Sequence, residues 1–234
     1  MSIPKIIHYC WFGGGAISPE NRKCMESWKK YCPDYKIIEW NDQNFDISTN
    51  RYAQQAYEAK RYAFVSDYVR LAVLYEYGGI YLDTDVELVR PLDELLELPG
   101  FMGFQTNNEV ATGLGFGARK GNSVVQALLR DYDALDFLKA DGSADLTPCP
   151  ERNTRVLQAL GVRKDGTRQS IAEMEIFPAE YFCPMDFYSR ELRVTPKTYS
   201  IHRYAESWKP KPSAVSRILQ RLLKKHYYTW YCPL

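Results

Sequence analysis

Two carboxylates stand two positions apart in Asp83, Thr84 and Asp85, directly after Gly78, Gly79, Ile80, Tyr81 and Leu82. Acids this close concentrate negative charge that is costly to leave unpaired in a partly buried cleft. A divalent cation removes the repulsion. Magnesium or manganese needs only one or two protein carboxylates when phosphate oxygens and water complete its shell. The chemistry open to the pair is therefore to hold a diphosphate through a metal. A bare Asp-X-Asp is more often a solvated turn, but the glycines and the apolar lead-in put this pair at the end of a buried strand. Upstream, Ser66, Asp67 and Arg70 fall in one helical stretch, and Asp67 and Arg70, three apart, share a face. By themselves they read as an exposed ion pair worth about 0–1 kcal/mol.

These side chains need a frame to hold them. Residues 3–9 form a short apolar run ending at Gly13, Gly14 and Gly15, which reads as a buried strand and a loop of close backbone approach. Ser18 and Pro19 have the types of an N-cap and a first helical residue, so a helix is predicted over 19–31. A second strand over 35–40 ends at Asn41 and Asp42. Strand, helix and strand within the first forty residues form the unit of an α/β sheet. A helix in two pieces over 53–77 stops at Gly78 and Gly79. The strand over 80–82 then runs straight into Asp83. Ligands of open α/β sheets bind beyond the carboxyl ends of strands, which is where the two acids fall. Further strands are expected near 101–105 and 114–118, and helices over 123–138 and 151–160, with 141–150 a loop. Residues 161–184 give only mixed short strands and loops.

The 234 residues fit one domain of ordinary size and can bury a core without staples. Hydrophobic residues at 45% and charged residues at 25% are those of a globular protein. A formal charge of +1 gives no global field for nucleic acid, which is set aside as a partner. Cys10, Cys24, Cys32, Cys149, Cys183 and Cys232 lack zinc-like spacing and read as free buried thiols of a reducing compartment. The opening residues lack the apolar run of a signal peptide, and no stretch approaches the ~20 residues that span a bilayer. The expected setting is cytoplasmic, either soluble or peripheral on the inner face of the cell membrane.

The run from Arg61 to Val86, RYAFVSDYVRLAVLYEYGGIYLDTDV, resembles the sugar-binding region of glycosyltransferase family 32, which includes yeast Golgi mannosyltransferases and bacterial capsular-polysaccharide transferases. Its order of Ser-Asp-X-X-Arg and Gly-Gly-X-Tyr-X-Asp-X-Asp is similar to the large clostridial glucosylating toxins. The opening IPKIIHYCWFGG, residues 3–14, is similar in kind to both groups. The resemblance implies a GT-A-like, Rossmann-like α/β domain over 1–208, a mixed sheet flanked by helices. It implies Mn2+- or Mg2+-dependent transfer of a sugar, with retention, from a nucleoside-diphosphate sugar to a glycan or lipid-linked saccharide in surface-polysaccharide synthesis. By the same resemblance Trp11 stacks on the nucleobase, Ser66 and Asp67 line the donor site, and Arg70 meets sugar or phosphate oxygens. Asp83 bridges the ribose and metal region, and Asp85 ligates the metal. Residues 201–208, IHRYAESW, resemble a late His…Ser-Trp element, making His202 a third ligand and closing Ser207 and Trp208 over the diphosphate. His8 is left structural. Asn107 and Asn108 do not align with an Asn that family members place near the acceptor, so no acceptor-side residue is assigned. A nucleotide-sugar hydrolase on the same site, or a non-catalytic glycan- or membrane-binding module, are the other readings. The intact Ser66, Asp67, Arg70, Asp83 and Asp85 argue against a decayed site.

From Ser207 to Leu234 there is no acidic residue. Val215, Ile218, Leu219, Leu222 and Leu223 follow helical spacing, opposite Arg217, Arg221, Lys224 and Lys225, with Tyr227, Tyr228, Trp230 and Tyr231 beyond. A basic amphipathic helix is expected over 209–234. It suits an anionic membrane surface through 214–231, and packing of its stripe on the domain is the other reading.

Overall fold

The computed structural model describes residues 2–205. Ser207, Trp208 and the expected helix over 209–234 lie outside the described residues. The chain opens with strand β1 (Ile6–Cys10), helix α1 (Pro19–Tyr31) and strand β2 (Lys36–Trp40). Ser18 caps α1 by accepting from the Asn21 amide, and Pro19 sits in the first turn, where its missing N–H costs nothing. Helices α2 (Arg51–Glu58) and α3 (Tyr62–Tyr77) are the two pieces expected over 53–77. Helix α3 ends because Gly78 and Gly79 take φ of +66° and +109°, values L side chains rarely adopt. That turn feeds strand β3 (Gly79–Tyr81) against β1.

After the acidic turn come strands β4 (Val86–Leu88), β5 (Gly100–Phe104), β6 (Val110–Ala111) and β7 (Phe116–Ala118). Helices α4 (Ser123–Asp133) and α5 (Cys149–Ala159) follow, then β8 (Gln169–Ile171), β9 (Met174–Phe177), the short α6 (Ala179–Phe182) and β10 (Ser200–His202). The main sheet runs β2-β1-β3-β7-β5-β9-β8, with β6 on β5. It is mixed: β1 is parallel to β2 and β3, whereas β7 is antiparallel to both β3 and β5. The expected α/β sheet flanked by helices is borne out.

Side-chain alternation along the central strands feeds two cores. Ile7, Tyr9 and Ile80 join one apolar cluster with Trp28 of α1, while Cys10 and Tyr81 join the other with α3 and α4. Strands buried on both faces read as near-continuous apolar runs, which is how β1 was legible.

Two local expectations need correction. The helix expected over 123–138 stops at Asp133. Asp131 and Asp133 put negative charge on its carboxyl end, where the helix dipole disfavours it, and they turn outward to Arg155 and Asn50. Helix α5 begins at Cys149, with Pro150 in its first turn, rather than at Glu151. Strand β4 was not anticipated. It leaves the main sheet and pairs antiparallel with β10, setting His202 opposite Val86.

Candidate active site

Strand β3 ends one residue before Leu82, and Asp83 follows at the carboxyl edge of the sheet. Its carboxylate is gripped on one oxygen. Arg70 Nη2 donates to Asp83 Oδ1 at 3.1 Å, and the Tyr81 hydroxyl donates to the same atom at 3.0 Å. Gly113 makes room for the rest of the group, since a Cβ there would lie 1.9 Å from Asp83 Oδ2. Arg70 Nη2 also pairs with Asp67 Oδ1 at 3.1 Å, and Arg70 Nε donates to the Ser66 carbonyl at 3.1 Å. With Arg70 6% and Asp67 8% exposed, the exposed ion pair suggested by spacing alone is ruled out. Burial pushes the Asp67 carboxyl up to about 6 against the pull of Arg70. Burial also opposes the charge of Arg70, but Asp83, Tyr81 and Asp67 hold its pKa well above its usual value. A fixed cation therefore faces the acidic turn from inside the protein.

Asp85 looks the other way, toward the ribbon of β4 and β10. His202 Nε2 lies 3.3 Å from Asp85 Oδ1, and the Ala205 amide donates to Asp85 Oδ2 at 2.8 Å. Burial works to raise the Asp85 carboxyl, yet His202 and that amide outweigh it and hold it down to about 2. Burial likewise opposes the imidazolium of His202, and Asp85 outweighs it to hold the ring above its ordinary value. One ligand atom each from Asp83, Asp85 and His202 lie within 4.8 Å of one another. His202 Nδ1 is buried with no partner among the described residues. Two carboxylates and an imidazole with a free nitrogen, this close, fit a single divalent cation.

The remaining expected residues fall into place unevenly. Trp11 follows β1, half-buried, with Nε1 donating to the Gly15 carbonyl at 2.5 Å. Ser66 contributes its carbonyl to Arg70, while its hydroxyl turns back to the Tyr62 carbonyl at 3.0 Å. Asn107 lies in an exposed turn, bonded on both sides to Glu109. His8 is fully buried in β1, its ring bonded to the Gly78 carbonyl and Trp40 rather than to an acid, as the structural role requires.

Several residues here were not singled out from sequence. Thr112 Oγ1 accepts from Arg70 Nη1 at 3.4 Å and from Asn153 Nδ2 at 3.1 Å. Cys149 Sγ lies 3.3 Å from Thr112 Oγ1 and 3.8 Å from Arg70 Nη1, and burial pushes its thiol up to about 12, so it stays neutral. Gly113 and Tyr81 could have been found, the first from its glycine-rich surroundings and the second from its place two residues before Asp83. Asn153 and Cys149 carried no signal, because α5 reaches Arg70 only through tertiary packing.

Residues 18–101 match the family described as "Glycosyltransferase sugar-binding region containing DXD motif". Residues 18–101 are thus similar to a glycosyltransferase sugar-binding region. The resemblance to family 32 read from the sequence is thereby borne out. The region spans Ser18 to Phe101 and so includes Arg70, Asp83 and Asp85, but neither Trp11 nor His202. The chain is similar to "Inositol phosphoceramide mannosyltransferase 3" of Schizosaccharomyces pombe, 30% identical over 151 residues, 58% of this chain and 39% of that protein. It is similar to human "Alpha-1,4-N-acetylglucosaminyltransferase", 28% identical over 148 residues, 63% of this chain and 38% of that protein. The match thus covers about two fifths of the length of either relative. Among solved structures, "PaToxG Glycosyltransferase" aligns with a TM-score of 0.50 and 22% identity, over 68% of this chain and 70% of that one. The fold is of the GT-A kind.

Proposed function

We propose that this protein is a metal-dependent glycosyltransferase that takes a sugar, with retention, from a nucleoside-diphosphate sugar. The observation that carries this reading is the meeting of Asp83, Asp85 and His202 around one point, beside the buried cation of Arg70. Asp83, Asp85 and His202 would hold Mn2+ or Mg2+, and the imidazole favours Mn2+. Once bound, the ion supplies neutralising charge for a departing diphosphate. The protein supplies the rest. Arg70 presents a permanent positive charge whose position is fixed by Asp67, Asp83 and the Ser66 carbonyl, so no reorganisation is needed as negative charge develops. Half-buried Trp11 offers a flat apolar face for a nucleobase at the end of β1.

The acceptor we propose is a glycan or lipid-linked saccharide of surface-polysaccharide synthesis, met at the inner face of the cell membrane, with 214–231 as the membrane contact. The five described cysteines, all buried and free, suit the reducing side of that membrane. Relatives named for mannosyl and N-acetylglucosaminyl transfer make both sugars worth testing. The test is a panel of nucleoside-diphosphate sugars, each with and without Mn2+, read by thermal stabilisation. Binding to the native state raises the melting temperature by mass action. A donor that stabilises only with metal supports the proposal, and stabilisation by no donor in either condition defeats it.

A further inference from the structure

Helix α1 is fastened to the acidic turn and its outgoing strand at three points. Trp28 Nε1 donates to the Val86 carbonyl at 2.7 Å, and the Leu88 amide donates to Ser27 Oγ at 2.8 Å. These two hold β4. The third contact reaches the turn itself, where Asn21 Nδ2 donates to Thr84 Oγ1 at 2.9 Å. Asn21 is 1% and Thr84 7% exposed, so water does not compete for this bond.

The Asn21 carboxamide has no evident task in folding. The backbone amide of Asn21 is already satisfied by Ser18 Oγ at 3.1 Å, so helix capping does not need its side chain. Its carboxamide oxygen is buried without a partner among the described residues. An orphaned buried acceptor costs at least as much as one neutral hydrogen bond contributes, so the carboxamide adds no net stability. What the residue does accomplish is positional. Asp83 is anchored by Arg70 and Tyr81, and Asp85 by His202 and the Ala205 amide. Thr84, between them, has its side chain held by Asn21.

We propose that Asn21 is a positioning residue for the cation site: through Thr84 it fixes the turn so that the carboxylates on either side converge on one ion. The inference rests on the metal reading above. Groups that orient metal ligands from behind command roughly 10–100-fold in metal affinity. The test titrates Mn2+ alone into the full chain, following the paramagnetic resonance signal of the free ion. Asn21→Ala and Thr84→Val should each weaken Mn2+ about tenfold. The double variant should be no weaker than the worse single one, because both remove the same bond. Thr84→Ser, which keeps the hydroxyl, should bind as the wild type does, and melting curves should change little across the set. Should Asn21→Ala not fold, the Thr84 pair carries the same test. Wild-type affinity in Thr84→Val, or losses that multiply in the double variant, overturn the role of Asn21 while leaving the metal site standing. A wild type that holds no Mn2+ removes the metal reading itself, and this role with it.

Discussion

His8 and His202 flank the same strand end and have opposite charge preferences. His8 pairs with Tyr81 in the sheet, and its carbonyl accepts from the Leu82 amide, which places it next to the acidic turn. The hydrogen-bond partners of its ring among the described residues, however, are both neutral. Trp40 Nε1 donates to Nδ1 at 3.0 Å, and Nε2 donates to the Gly78 carbonyl at 2.9 Å. Burial pushes this histidine down to about 4, against the help of that carbonyl, so it is neutral. His202 is also largely withdrawn from water, yet Asp85 holds it above its ordinary value. Burial alone does not set the charge of an imidazole. A carboxylate within reach does.

Replacing that carboxylate gives the largest expected effect. Asp85→Asn should lower Mn2+-dependent donor binding beyond the roughly 100-fold that even outer partners of a metal command, with the fold intact. His202→Ala should follow it, whereas His8→Gln should leave Mn2+ affinity alone. Calorimetry showing equal losses for the two histidines would erase the distinction between them. Gly113→Ala comes next, because its Cβ would land on Asp83 Oδ2 and push the carboxylate off Arg70. A displacement of this order costs about 100-fold in turnover, and wild-type kinetics would mean the carboxylate has another resting place. Arg70→Lys keeps a charge but loses the fork that bonds Asp67, Asp83 and the Ser66 carbonyl together. Turnover should fall at least about tenfold, and melting should drop as well. Breaking a buried pair costs about 3 kcal/mol, so an unchanged melting temperature would contradict the burial of this arginine.

The last effect is on acid stability. His8 is neutral in the fold, while its unfolded counterpart takes up a proton near pH 6.5. Its contribution is therefore complete above that pH and is lost, to a total of about 3 kcal/mol, as the pH falls toward 4. Asp67 runs the other way. Its raised folded pKa makes the native state gain stability as the pH falls from about 6, so a wild-type curve alone would mix the two. The gap between wild type and His8→Gln isolates the histidine. It should shift against the wild type between pH 6.5 and 4, and a gap independent of pH would show that His8 is not held neutral.

The sequence made one side of the site legible and hid much of the other. Arg70, Tyr81 and Asp83 lie within fourteen residues, in a helix, a glycine turn and a strand whose signals are all local. Asp67 was visible by type, but the burial that distinguishes its pair with Arg70 from a surface pair needs the packing of α5. Strand β4 has three residues with a glutamate in the middle, too few to show a period. His202 was reached only through a resemblance, since nothing in the spacing of residues 86 and 202 says that they pair. The Asn21–Thr84 bond was invisible for the same reason, although the helix that carries Asn21 was read correctly from its cap and proline.

The pairing of β4 with β10 also has a consequence for timing. The ribbon joins Val86 to His202, more than a hundred positions apart. A ribosome delivers Arg70, Asp83 and Asp85 early, and α1 and α3 can pack on β1 and β3 while later strands are still unmade. The histidine arrives last. During synthesis the two acids must wait without it, and only the slow closure of a long loop converts an acidic turn into a three-residue nest. A chain that ended between β9 and β10 would stay in that unfinished condition, holding its arginine but missing its histidine.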